Sequence, residues 1–138
     1  MNKKKILKIQ KQIAQIESFA TSLNASEHDL ALFFFLSNDL LLISDADGYV
    51  KFSNKNLHFM IGCKSPSELV GTKFIDRTHP EDLELALNAR SKLISGAPIR
   101  DLCIRSRKNN GHYIKVSWNA IRVKNGTVYS CGKLEEDK

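Results

Sequence analysis

The chain has 138 residues, 42% of them apolar and 26% charged, with a net charge of +6. That length and apolar share fit one globular domain able to bury its own core, and they exclude disordered and collagen-like chains. Three cysteines at 63, 103 and 131 form no CxxC pair, which argues against a disulfide framework or zinc site and for a reducing, cytoplasmic setting.

The charge is unevenly placed. Lys3, Lys4, Lys5, Lys8 and Lys11 fall in the first 12 residues with no acid among them, so most of the excess is a local feature. The longest apolar run, Leu30 to Leu36, is far short of the ~20 residues a membrane span needs.

Residues 3–23 read as an amphipathic helix. Ile6, Ile9, Ile13, Ile16, Ala20 and Leu23 alternate spacings of three and four, the a/d pattern of a coiled coil. Such a stripe either packs on its own domain or pairs with a second copy. Its narrow a/d form favours a homodimer seam. Ser26 then caps a short apolar helix, Glu27 to Leu36. Leu40 to Ile43 is a buried strand, Asp45 to Gly48 a turn, and Tyr49 to Ser53 the return strand of a hairpin.

Short helices fill the middle. Ser65, Pro66 and Glu68 have capping-box spacing. A longer helix runs from Pro80 to about Ser95, with Leu83, Ala86, Leu87, Leu93 and Ile94 as its apolar face and Gly96 and Pro98 as its stop. Three strands follow. Ile99 to Arg107 is the first. In the second, Ile114, Val116, Trp118 and Ala120 face the core. The third, Thr127 to Lys133, follows an Asn125-Gly126 hairpin turn. Two strands, short helices and three strands make an α+β domain with an antiparallel sheet.

Residues 30–134 resemble a PAS domain of the bacterial sensory-box type. The resemblance rests on Ile43 to Gly48, Asn54, Gly62, Glu68-Leu69-Val70-Gly71, His79-Pro80-Glu81-Asp82 and Arg107 to Gly111, in family order. It divides the chain into an N-terminal helix and linker (1–29), a sensory domain (30–134) and a tail (135–138). It implies a five-stranded antiparallel sheet of order 2-1-5-4-3, with short helices over one face and an N-terminal dimerisation helix. It also implies sensing and relay to an output domain, of histidine kinase or diguanylate cyclase type, in place of catalysis. Two features depart from the family pattern. Cys103 stands where the family pattern has a Glu two residues before an Arg, here Arg105, so a family salt bridge involving that Glu cannot form, and the usual closing Asp-Ile-Thr is absent.

The resemblance places Ile43, Phe52, Asn54, Phe59, Met60, Phe74, His79, Leu87, Cys103, Arg105 and Trp118 as candidates to line a ligand pocket. Arg105 is the residue suited to a carboxylate. The same side chains would equally fill a core with no ligand. No His falls within Pro80 to Ser95, which argues against haem. No cysteine falls in Phe74 to Thr78, which argues against a flavin adduct. No cofactor is predicted. Metal-ligand clusters, Walker loops and catalytic motifs are missing, so no enzymatic activity is expected. Residues 98–126 carry seven basic side chains against Asp101 alone. Strand alternation makes these a solvated face more readily than a nucleic-acid surface, which would want interleaved aromatics. A ligand-free dimerisation module stays open as the alternative to a sensor.

Overall fold

The computed structural model describes residues 3–22 and 27–135. In chain order it comprises α1 (Lys3–Ser22), α2 (Glu27–Leu36), β1 (Leu40–Ser44), β2 (Val50–Ser53), α3 (Lys55–Ile61), α4 (Leu83–Ile94), β3 (Ile99–Arg107), β4 (Tyr113–Arg122) and β5 (Val128–Leu134). Single 3-10 turns at Pro66–Glu68, Phe74–Arg77 and Pro80–Asp82 connect α3 to α4. The strands form one antiparallel sheet in the order β2-β1-β5-β4-β3, as the resemblance implies.

Alternation along the strands puts Leu40, Leu42, Ile104, Val116 and Trp118 on the face that α3 and α4 cover, with Leu57, Ile61, Leu69 and Ala86 closing over them. A second cluster, Ala89, Leu93, Ile99, Ala120 and Val128, fills the far end of α4. Gly132 is required for this layer. A Cβ there would lie 2.7–2.9 Å from Val116 and from the Trp118 ring, so only glycine lets the indole lie across β5.

Each sheet edge is covered in part. On β2, Val50 donates its N–H to Thr72 O (2.8 Å) and accepts from Gly71 N–H (2.9 Å). On β3, the His79 N–H donates to Arg105 O at 2.9 Å, and Arg105 N–H donates to the Asp82 carboxylate at 2.8 Å.

Asn54 joins the first half of the fold and is fully buried. Its Oδ1 accepts from the backbone N–H of Leu41 and of Leu57, both at 3.1 Å, so it caps α3 and ties that helix to β1. Its Nδ2 donates to Asp39 O at 2.9 Å and Ser37 O at 3.4 Å, which fixes the end of α2. Beside it, buried His58 bonds Ser53 through Nε2, and burial lowers its pKa.

Three features differ from the sequence reading or extend it. Helix α3 was not foreseen, because seven residues are too few to display a period, although its caps Asn54 and Gly62 are both present. The face of α4 is rotated: Ala86, Ala89 and Leu93 are buried, while Leu83, Leu87 and Ile94 are 40–56% exposed. Finally, α2 leaves Leu30, Phe33 and Leu36 at least 55% exposed.

Of the isoleucine stripe, Ile6 is half-buried and α1 passes the end of α4. A Cβ on Gly96 would lie 3.0 Å from Gln10 Nε2 and 3.6 Å from Ile6 Cγ2. The side chains of Ile9, Ile13, Ile16 and Ala20, and the whole of Leu23, lie outside the described residues.

Replacing Asn54 with Ala should cost about 2–4 kcal/mol, since it strands several buried backbone groups at once. Urea unfolding followed by circular dichroism measures this. A loss under ~0.5 kcal/mol, the size of an ordinary surface change, would show that Asn54 does not hold these elements together.

Candidate ligand-binding site

Small side chains on both layers, Ser44, Ala120 and Ser130 on the strands and Ala86 and Ala89 on α4, cannot fill the space between helix and sheet. The result is a cavity of about 370 Å³. That volume lies within the ~300–1,000 Å³ common for small-molecule sites. Leu42, Phe74, Ile104 and Trp118 make an apolar wall, with Phe74 and Trp118 edge to face at 5.8 Å between ring centroids. The solvent-exposed end is polar and is formed by Asp47 and Gly48 of the β1–β2 turn, by Lys73 and Asp76, and by Arg90 of α4.

The β1–β2 turn is held from within by Asp45, whose Oδ1 accepts from the N–H groups of Asp47 and Tyr49, both at 2.9 Å. Arg90 then reaches across from α4 and donates from Nη2 to Ala46 O at 3.0 Å. Gly48 lies under the guanidinium at φ +94°, where a Cβ would meet it at 3.2–3.5 Å.

The approach to α4 is fixed by a clamp. Asp82 receives Arg105 Nε at 2.9 Å and Nη2 at 3.0 Å, and Glu81 receives the same Nη2 at 3.1 Å. These bonds to Arg105 hold the Asp82 carboxyl down at about 2. His79 caps the turn before it, its Nδ1 accepting from Glu81 N–H at 3.1 Å, and its ring sits 4.7 Å from that of Tyr113.

The strand order, the helices over one face and the cavity between them agree with the sequence comparisons. The family model described as PAS fold matches residues 51–133. The chain belongs to the PAS fold family. This is a family of sensory domains that generally serve signal transduction. Solved PAS structures agree in fold. A domain of the sensory box sensor histidine kinase/response regulator from Geobacter sulfurreducens is 19% identical over 77% of this chain and 91% of that one, at TM-score 0.67. The PAS domain of a Colwellia psychrerythraea protein is 18% identical over 78% and 95%, at 0.64. Drosophila melanogaster Cycle PAS-B, a W398A form with bound glycerol, is 17% identical over 70% and 99%, at 0.65. No curated protein matches the sequence.

Within this PAS domain the candidate residues separate. Phe74, Leu87 and Trp118 lie on the cavity wall. Ile43 and Phe52 are cross-strand partners off that wall, and Phe59 is 78% exposed on α3. Met60 packs against the main core, Asn54 is committed to backbone, and His79 caps a turn. Cys103 lies on a second groove of about 740 Å³, between α4, the start of β3 and Ile6. Arg105 is occupied by Asp82 and Glu81, so its fork does not face a ligand. Both carboxylates that hold Arg105 come from the Pro80–Asp82 turn.

Besides Asp47, Lys73, Asp76 and Thr78, the polar lining residues absent from the sequence candidates are Ser44, Ser130 and Arg90. Strand parity could have found the serines, since Ser44 follows Leu40 and Leu42 and Ser130 follows Val128. Arg90 lies four residues after Ala86, on the inward side of α4. Burial pushes the pKa of the Cys63, Cys103 and Cys131 thiols up, away from the thiolate that redox or nucleophilic chemistry needs. Among the described residues no cluster of His, Cys, Asp or Glu could hold a metal, and no helix is long and apolar enough to cross a membrane.

The clamp makes a pH prediction. Because the Asp82 carboxyl is depressed in the folded state, its contribution is complete above the unfolded value near 4 and is lost as pH falls towards 2. Asp82→Asn should therefore be less stable than the parent at pH 7, with the gap closing between pH 4 and 2. Urea midpoints measured across that range test this, and a gap independent of pH would contradict it.

Proposed function

We propose that this chain is a cytoplasmic PAS sensory module that binds a small organic ligand between α4 and the sheet and forms homodimers through α1. It acts by binding and not by catalysis. It relays occupancy to an output domain of the histidine kinase or diguanylate cyclase type. The observation that carries the reading is the cavity itself: a core of this size needs no such void, and voids cost stability. Ligand binding shifts the dimer arrangement only by its differential affinity for the two states.

A ligand-free dimerisation module is the second reading, favoured by the exposed Leu30, Phe33 and Leu36 of α2. A helix apolar on all sides is ordinarily covered. Nucleic-acid binding loses support, because Arg105, one of the seven basic groups of residues 98–126, is neutralised by Asp82 and Glu81.

Native mass spectrometry of the purified protein tests both parts. A dimer carrying a non-covalent adduct, or one that takes up metabolites which raise the melting temperature, is expected. A dimer that takes up none favours the second reading. Ile9→Asp with Ile13→Asp should give a folded protein of half the mass by light scattering. An unchanged dimer would remove α1 from the interface.

A further inference from the structure

The polar groups of the cavity specify more than its volume does. Arg90 is half-buried and carries five N–H donors, of which one bond, to Ala46 O, is made inside the protein. Among the described residues no carboxylate lies within ion-pair distance of it. Asp47 and Asp76 share the cavity's open end, but both are exposed to screening solvent, and Lys73 is turned to the Tyr49 ring at 5.0 Å.

Ser44, Ser130 and Trp118 also line the cavity, and among the described residues no protein group bonds their hydroxyls or the indole N–H. Among the described residues no fully buried polar side-chain atom lacks a partner. These three groups therefore keep some access to solvent and are free to bond a ligand oxygen. The indole can only donate.

Accepting the sensory reading above, we propose that the ligand is an organic monocarboxylate, its apolar body against Phe74 and Trp118 and its carboxylate forked onto Arg90. Such a molecule meets an apolar wall with its carbon chain and the guanidinium at the cavity mouth with its anion, the planar pairing in which arginine excels. Gly48 is a positioning residue, because the guanidinium occupies the space a larger residue's Cβ would need.

Trp118 is the single tryptophan of the chain, so its fluorescence reports on the cavity wall directly. The test is a titration of the full chain with two matched pairs of probes: decanoate against decanol, and 3-phenylpropionate against 3-phenylpropanol. The expected result is saturable quenching or shift, with at least one acid binding tenfold or more tightly than its alcohol. Arg90→Gln should erase that ratio while leaving alcohol binding, which also shows that the variant is folded. Arg90→Lys, which keeps the charge but not the fork, should fall between. Acids and alcohols binding alike would overturn the carboxylate assignment and leave the sensory reading standing. An acid preference that survives in Arg90→Gln would overturn the role of Arg90. No response to any of the four probes would overturn the proposal together with the organic-ligand reading on which it rests.

Discussion

The Asp82–Arg105 clamp is the constraint on which the site depends. Arg105 lies on the edge strand β3, and Asp82 immediately precedes α4. Two side-chain bonds and one backbone bond between them tie the start of α4 to the sheet edge. A helix anchored in this way cannot settle freely onto the sheet, and small residues then face each other across the gap. The cavity follows from a fixed helix and side chains too short to meet.

Arg105 meets its carboxylates across the layer, on Glu81 and Asp82, while the thiol at 103, where the family pattern has a Glu, faces a groove where burial raises its pKa. A group tied at both ends positions the site and does not itself read a ligand. Arg90, which is held by one backbone oxygen only, is left for that work.

Much of this was legible in the residues. The alternation through Val116, Trp118 and Ala120 identified the inner face of β4, and the turn residues around Gly48, Gly111 and Gly126 divided the strands correctly. Motif order supplied the strand order, which local periodicity cannot, since pairing between β1 and β5 joins residues far apart in sequence. The pocket was less legible. Phe52 and Phe59 are large and apolar, so they resembled wall residues, yet parity and helix rotation place them outside. The polar lining, by contrast, consists of two serines, a threonine and charged side chains, residue types that resemble surface when read one at a time. A cavity is made by what is too small to fill it, and that is a property of two facing layers and not of one segment.

The most direct measurement is the ¹⁵N–¹H spectrum of the labelled protein, in which the lone Trp118 gives one indole N–H signal. The account predicts that this signal moves and its exchange with water slows when 3-phenylpropionate or decanoate is added, together with the backbone amides of Ser44, Arg90 and Ser130. An indole signal unmoved at saturating ligand, with shifts confined to α2 and the outer sheet face, would contradict a binding site between α4 and the sheet.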